Sequence, residues 1–207
     1  SLYADSGALS DAASLYEQTY EGFGDPVLAG EAAKIYLYQQ DFAKLAVLLE
    51  KSHINEPLLL DLYVKEKQFN KASELALKVY EQEDNPLYLA QSAVYKYEGA
   101  ANRNDPALIA DVVEKLKKAL EDINEPLFLN YLGYLMIDHD VNVSEGMGYV
   151  RRALEKEPES PFYIDSLAWG HYKLNECAEA LRLIKQVESM IGIDEHEVKD
   201  HLKAIEA

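Results

Sequence analysis

Few side chains in this 207-residue sequence have the type and spacing of a catalytic or metal site. His196 and His201 are five residues apart, which places them on different faces of a helix, unlike metal ligands spaced by four. Together with Glu195 and Asp200 they could hold a stray divalent ion, but a solvated helix end is the favoured interpretation. His139 lies between two aspartates and is interpreted as a turn residue.

The motifs that nucleophilic or phosphate chemistry requires are also missing from the sequence. It contains no Gly-rich phosphate loop, nucleophile elbow or Cys-x-x-Cys pair. The single cysteine, Cys177, aligns with Phe42 and Phe69 of two similar segments, so a packed thiol is expected rather than a reactive one. We therefore expect no catalytic activity, no cofactor and no metal site.

The composition excludes several classes of protein. Asp and Glu number 37 against 20 Lys and Arg, and this charge of −17 argues against nucleic-acid binding, which depends on basic side chains. Hydrophobic residues make up 48% of the chain, which suits a folded core rather than disorder. No apolar run reaches the roughly 20 residues needed to cross a bilayer, and no signal peptide is recognisable.

Prolines indicate where helices begin. Proline suits the first turn of a helix, whereas the residue before it is pushed out of helical geometry, so each X-Pro step predicts a helix start. The seven prolines are Pro26, Pro57, Pro86, Pro106, Pro126, Pro158 and Pro161. Without Pro106 and Pro158 the intervals are 31, 29, 40 and 35 residues, a period typical of helical repeat arrays.

The segments between these prolines resemble one another. Segments 41–49, 68–76 and 176–184 share an apolar residue, two mostly polar residues, and then a small or apolar residue that starts a helical period. Segment 7–16 fits the same frame. The chain is therefore expected to begin at the end of a first helix, as a fragment of a longer protein.

This pattern resembles the tetratricopeptide repeat (TPR), which has bulky residues at positions 4, 7, 11 and 24 and small ones at 8, 20 and 27. The clearest match starts at Pro161 and consists of Ile164, Leu167, Ala168, Tyr172, Ala180, Ile184 and Val187. The resemblance implies an all-α fold, a right-handed superhelix of stacked antiparallel helix pairs (a TPR α-solenoid). Small residues let paired helices approach, and bulky ones fill the space between pairs.

The resemblance covers the whole chain as one continuous solenoid domain. The expected segments are 1–24 (the end of a truncated repeat, mainly its second helix), 25–56, 57–85 (a short repeat), 86–125 (divergent), 126–160, 161–193 and 194–207 (a capping helix). In the divergent repeat, 99–106 is expected to lengthen the inter-helix turn by about seven residues. Gly146 stands where Ala is usual.

The last segment is expected to be a polar-backed capping helix. Asp194 can cap its start, with Glu197 as the partner three residues on. The apolar stripe consists of Val198, Leu202 and Ile205. Lys203 stands where a small residue would let another helix pack, so no further helix is expected to pack there.

In the TPR family the concave groove is lined by first-helix positions 2, 5, 9, 12 and 13, and the resemblance transfers that role to matching residues. The candidates are Lys34, Tyr38, Asp61, Lys65, Tyr97, Asn130, Tyr134, Asp138, Phe162, Asp165, Trp169, Tyr172 and Lys173. The set includes the only Trp and several Tyr, residue types that anchor interfaces. It lacks the Lys and Asn set with which chaperone-binding members clamp a terminal carboxylate, so an acidic C-terminal tail is disfavoured.

The resemblance and the charge together predict a function. The first hypothesis is a non-enzymatic protein–protein interaction scaffold that binds a neutral or basic peptide or protein segment in an aromatic, acidic groove. The second is a structural spacer or self-assembling element, its groove filled by its own chain or another copy, with self-association through the truncated N-terminal repeat. A regulatory segment of a larger protein is the third. The composition resembles bacterial repeat proteins, which favours the cell envelope (periplasmic side), with the cytoplasm as the alternative.

Overall fold

The structure, a computed structural model, describes residues 2–191 and 196–206, and all regular structure in that part of the chain is α-helical. The helices are α1 (Leu2–Phe23), α2 (Pro26–Tyr38), α3 (Phe42–Ser52), α4 (Glu56–Lys65), α5 (Phe69–Glu83), α6 (Pro86–Glu98), α7 (Pro106–Asp122), α8 (Pro126–Asp138), α9 (Val143–Lys156), α10 (Pro161–Lys173), α11 (Cys177–Ile191) and α12 (His196–Glu206). The predicted fold of paired helices is confirmed.

Proline starts the first helix of most pairs. Helices α2, α6, α8 and α10 begin at a proline, and α4 begins one residue before one. The Asp25 carboxylate caps α2 by accepting a hydrogen bond from the Val27 N–H at 2.9 Å. Pro158 is the exception, so the prediction that it begins a helix is wrong. Because Pro161 holds Ser160 in an extended conformation, no helix can run on from Pro158.

The short turns inside the pairs share one backbone geometry. Three residues separate α2 from α3, α4 from α5 and α10 from α11, and four separate α8 from α9. Each turn holds one left-handed residue with φ between 53° and 61°, namely Gln40, Lys67, Asp140 and Asn175. The next N–H donates to the carbonyl five residues earlier at 2.7 to 3.0 Å, which closes the preceding helix. The turn 99–105 has seven residues, four more than the common turn, so the expected lengthening by about seven is too large.

Helix α1 is one uninterrupted helix of 22 residues. The end of a preceding first helix, expected ahead of Gly7, is not set off from the rest by a turn. The physical reason is that residues 2–23 contain no proline, and a single glycine inside a helix costs only about 1 kcal/mol relative to alanine. The first described residues therefore continue directly into the segment that was expected to be a second helix.

The chain divides into two compact units, Ser1–Leu75 and Ala76–Ala207, with the boundary inside α5. In the second unit, small side chains at the helix contacts are fully buried: Ala93, Ala119, Ala153, Ala168 and Ala180. Helices α8 and α9 approach closely, and a Cβ added to Gly133 would lie 2.6 Å from the Gly146 carbonyl oxygen. This contact accounts for Gly146 at a place where Ala is usual.

Helix α12 packs on α10 and α11 through its apolar stripe. Val198, Leu202 and Ile205 are buried, as predicted, against a cluster that includes Ile164 and Ala168. Lys203 is exposed on the opposite face. The predicted cap formed by Asp194 and Glu197 lies outside the described side chains.

Cys177 is exposed, so the expectation of a packed thiol is wrong. It is the first residue of α11, and its Sγ lies 3.7 Å from the carbonyl oxygen of Asn175. The aligned Phe42 and Phe69 are half-buried. The cysteine side chain is too short to reach the neighbouring helix that an aromatic ring would contact.

In the first unit, Glu50 connects three helices. Its Oε1 accepts hydrogen bonds from the Tyr63 hydroxyl at 2.6 Å and from the Lys71 ammonium at 2.9 Å. These donors, Tyr63 first and Lys71 second, hold the pKa of Glu50 below its ordinary value of 4.5. The carboxylate form is thus favoured by folding and contributes stability above that ordinary pKa, which is lost as the pH falls through the folded pKa.

Glu50→Gln is therefore expected to lower the free energy of unfolding of the first unit at neutral pH. The effect is about 1 kcal/mol or less, because the pair is partly exposed and screened by solvent. Urea unfolding at neutral pH, and again well below pH 4.5, measures it, and the difference from wild type should disappear at the acidic pH. Glu66→Gln, at an exposed position, is the matched control. If the difference in unfolding free energy between Glu50→Gln and wild type persists at low pH, the Glu50 carboxylate charge is not its cause.

Candidate functional site

A cavity of about 440 Å³ lies within the second unit, between the first helices of its repeats and α12. We call it the aromatic cavity. Its lining residues are Tyr97, Glu98, Arg103, Asn130, Tyr131, Tyr134, Leu135, Asp138, Phe162, Asp165, Ser166 and Val198. Six of the predicted groove residues are in this set: Tyr97, Asn130, Tyr134, Asp138, Phe162 and Asp165. A volume of this size is in the range of pockets that hold a small ligand or a large side chain.

Helical spacing explains why these side chains meet. Asn130, Tyr134 and Asp138 are four residues apart on α8 and share one face of that helix. Asn130 is the fifth residue of α8, and Asp165 is the fifth residue of α10. Neighbouring first helices therefore bring equivalent positions to the same cavity.

At the α6 end of the cavity, Glu98 has its hydrogen-bond partners within the chain. Its carboxylate pairs with the Arg103 guanidinium at 2.6 Å and accepts a hydrogen bond from the Tyr131 hydroxyl at 2.8 Å. Burial first, and then the Glu98 charge, raise the pKa of Tyr131 far above its ordinary value, so this phenol stays a donor. The Arg103 guanidinium also lies over the Tyr97 ring, 5.3 Å from its centroid.

At the other end, Asp165 forms a buried pair with His201 of α12. Asp165 and His201 are each 5% exposed, and the Asp165 Oδ2 lies 2.9 Å from the His201 Nδ1. The Oδ1 of Asp165 is also buried, and so is the Oδ1 of Asn130. Neither Oδ1 has a hydrogen-bond partner among the described residues. Two buried acceptors at this end of the cavity thus lack a donor from the described residues.

Trp169 does not line the aromatic cavity; it supports α12. Its ring stacks with that of Tyr172, with centroids 5.0 Å apart, and with that of His201, with centroids 4.3 Å apart and planes inclined by 13°. Its Nε1–H donates to Asp138 Oδ1 at 3.1 Å. The chain's own C-terminal helix therefore covers the side chain that was predicted to anchor a partner.

His201 is buried, so its interpretation as part of a solvated helix end is wrong. The ring also packs against Tyr134, with centroids 5.9 Å apart. The sequence does contain a signal for this: His201 follows Val198 by three residues and precedes Ile205 by four, which places it beside the apolar stripe. His139 is half-buried and hydrogen-bonded to the Tyr97 hydroxyl at 2.7 Å.

The remaining predicted groove residues lie elsewhere. Lys173 is next to the cavity and pairs with Asp140 at 2.9 Å. In the first unit, the Lys34 side chain pairs with Glu31 at 2.6 Å, and the Lys65 ammonium lies 3.7 Å from the centre of the Phe42 ring. Tyr38 and Asp61 of that unit are exposed on the helix surface.

A second cavity, of about 560 Å³, lies within the first unit. Its lining is mostly apolar and consists of Pro26, Val27, Gly30, Ala33, Lys34, Leu37, Leu49, Ile54, Asn55 and Leu58. Lys34, a predicted groove residue, is among them. The polar and aromatic set that can recognise a charged ligand is in the second unit.

Neither a metal-binding cluster nor a membrane-crossing helix is found among residues 2–191 and 196–206. Three or more His, Cys, Asp or Glu side chains do not come together there in an arrangement that could hold a metal ion. None of the helices in those ranges is both long enough and apolar enough to cross a membrane.

The sequence of this chain was compared with those of known proteins. No family model matches the chain. A TPR repeat-containing protein of Pseudomonas aeruginosa is 27% identical over 132 residues, which is 63% of this chain and 20% of that protein. The chain thus spans about a fifth of the length of the curated relative it matches.

Two solved structures of TPR proteins have the same fold. The crystal structure of YrrB, a TPR protein with an unusual peptide-binding site, is matched with a TM-score of 0.66 at 12% identity, over 93% of this chain and 99% of that one. A thermophilic TPR protein of Thermus thermophilus is matched with a TM-score of 0.59 at 15% identity, over 96% of this chain and 100% of that one. The repeat spacing, the helix pairs and these likenesses agree, and the chain has the fold of tetratricopeptide-repeat proteins.

Proposed function

We propose that this chain is a non-enzymatic protein-interaction scaffold that binds a neutral or basic segment of a partner at the aromatic cavity of its second unit. The observation that carries this proposal is the lining of the cavity. Tyrosine and phenylalanine rings surround three carboxylates, those of Glu98, Asp138 and Asp165, against a single guanidinium. The existence of a peptide-binding site in YrrB, a protein of the same fold, supports the proposal.

The charge of the cavity favours one sign of partner. Glu98 is neutralised by Arg103, whereas Asp138 and Asp165 have no such guanidinium within the cavity lining. The excess of 37 acidic over 20 basic residues in the chain adds a long-range field of the same sign. A basic segment is attracted to such a surface, and its association is faster at low salt.

Part of the predicted groove face is covered by the chain itself. Helix α12 already covers Trp169 and packs beside Tyr134 through His201. Phe162, in contrast, is 54% exposed at the mouth of the cavity. A partner segment would bury this ring, and aromatic side chains of this kind contribute strongly to binding.

Phe162→Ala is expected to weaken binding of a selected peptide by about tenfold or more, because the lost ring is an exposed aromatic anchor. Peptides would be selected from a random display library on the wild-type chain, and their affinities measured by calorimetry at two salt concentrations. The matched control is Leu127→Ala, since Leu127 is the second residue of α8, as Phe162 is of α10, and it is 62% exposed but does not line the cavity.

The selected sequences should be enriched in basic and aromatic residues, and their binding should weaken at high salt. Enrichment of acidic peptides, or equal losses for Phe162→Ala and Leu127→Ala, would contradict the proposal. Failure to select any peptide would favour the second hypothesis, a structural or self-assembling array. Sedimentation equilibrium, which reports whether the chain self-associates, would then test that hypothesis directly.

A further inference from the structure

We propose that the aromatic cavity binds the guanidinium group of an arginine side chain of the partner segment. This inference rests on the proposed function and adds the chemical identity of the group that the cavity recognises. The ligand group is specified by two open acceptors, a carboxylate charge and flanking aromatic rings.

The two open acceptors are the Oδ1 atoms of Asn130 and Asp165. Both are buried, and neither has a hydrogen-bond donor among the described residues. Leaving a buried acceptor unpaired is costly, and a charged one more so, so a ligand that donates to both gains more than the ordinary net value of a hydrogen bond. Both residues belong to the lining of the same cavity, at the fifth position of consecutive first helices.

The other carboxylates of the cavity already have donors. Glu98 accepts from Arg103 and Tyr131, and Asp138 accepts from the Trp169 indole. The second oxygen of Asp165 is paired with His201. At the Asp165 end of the cavity, the described residues therefore supply no N–H donor to the Oδ1 atoms of Asn130 and Asp165, and the lining there lacks a positive charge.

The chain itself provides a precedent for this recognition at the opposite end of the cavity. There the Arg103 guanidinium pairs with a carboxylate, Glu98, and lies over an aromatic ring, Tyr97. At the Asp165 end the lining has the same components, a carboxylate and the rings of Tyr134 and Phe162. A partner's arginine would repeat the arrangement at the Asp165 end, where none of the lining residues supplies a second guanidinium.

Arginine fits this site better than lysine. A guanidinium is planar and presents five N–H donors in a fixed fork, so it can donate to two acceptors on different side chains while stacking on a ring. An ammonium group is a compact, strongly hydrated point charge and gains less from a cavity with aromatic walls. A cavity of about 440 Å³ has room for one such side chain.

The test uses the 207-residue chain and three small probes: the N-acetyl methylamides of arginine, lysine and citrulline. Citrulline has nearly the shape of arginine without its charge. We expect the arginine probe to bind with a dissociation constant of about 1 mM and to shift the NMR signals of the cavity residues. The lysine and citrulline probes should each bind at least about fivefold more weakly.

Two substitutions locate the recognising atoms. Asp165→Asn and Asn130→Ala are each expected to weaken binding of the arginine probe by about tenfold or more. Asp122→Asn removes the same charge from an exposed position of the same unit and should leave binding unchanged. Because Asp165 also contacts His201, the Trp169 emission spectrum of each variant is compared with that of wild type. Asn130→Ala tests the site without changing the Asp165–His201 pair.

The result that would overturn the proposal is equal binding of the arginine and citrulline probes, or binding that both substitutions leave intact. No shift at the cavity residues with the arginine probe would overturn it as well. These failures are distinguishable from failure of the proposed function. Peptides selected on the chain that depend on Phe162 but tolerate replacement of every arginine by citrulline would leave the scaffold in place and remove only the arginine site.

Discussion

His201→Ala is expected to detach α12 from the second unit and to expose Trp169. The substitution removes the partner of a buried carboxylate, Asp165, whose other oxygen has no donor among the described residues. Breaking a buried pair in this way costs about 3–5 kcal/mol, because the remaining charge is left uncompensated. Loss of ring stacking on Trp169 at 4.3 Å adds about 1 kcal/mol.

Two measurements report this change. Trp169 is the only tryptophan in the sequence, so its fluorescence should shift to longer wavelength when α12 detaches. Amide hydrogen exchange in residues 196–206 should become much faster, while exchange in α8 and α9 changes little. Lys203→Ala, on the exposed face of α12, is the control. If His201→Ala leaves both the emission spectrum and the exchange of α12 unchanged, the buried pair does not hold the helix.

Gly146→Ala is expected to destabilise the second unit by about 1–3 kcal/mol, the usual cost of overpacking a tight contact. An added Cβ would lie 2.7 Å from the Gly133 carbonyl oxygen and 2.9 Å from the Ile137 Cγ1. The first of these atoms belongs to the backbone of α8, so the two helices must move apart. Alanine's better helix propensity, worth about 1 kcal/mol, offsets only part of this cost.

The matched control lies two residues away in the same helix. Gly148 has no atom within 4 Å of its added Cβ, so Gly148→Ala should stabilise the unit by about 0.5–1 kcal/mol through helix propensity alone. Urea unfolding followed by circular dichroism measures both variants. Opposite signs for the two substitutions are the expected outcome, whereas stabilisation by both would show that the α8–α9 contact adapts to a methyl group.

Much of the fold was predictable because its signals are local. Proline at a helix start and a small residue at a helix contact act through nearby backbone geometry, so Pro26 and Pro161 predicted their helices correctly. The prediction that a helix begins at Pro158 was wrong because the next proline, three residues later, decides where the helix begins. The length of the turn after α6 was overestimated because sequence spacing alone does not say where one helix ends and the next begins.

The candidate site was predictable only in part. Asn130 and Tyr134 line the same cavity, since residues four apart share one face of a helix. Arg103 and Tyr131 were missed, and Arg103 belongs to the irregular turn after α6. Whether the set as a whole binds a partner stays a prediction, which Phe162→Ala and the arginine probe test.

The sequence by itself determined that this protein is an array of helix pairs, where most helices begin, and which first-helix positions share a face. These properties follow from local preferences and from the helical period, which are encoded within single repeats. Only the tertiary structure decided that α12 covers Trp169 and that His201 pairs with Asp165, 36 residues away. It also decided which cavity acceptors keep an open oxygen. Such contacts join separate repeats. Their strength depends on how deeply the groups are buried and on which of them already have hydrogen-bond partners, and a local sequence pattern specifies neither.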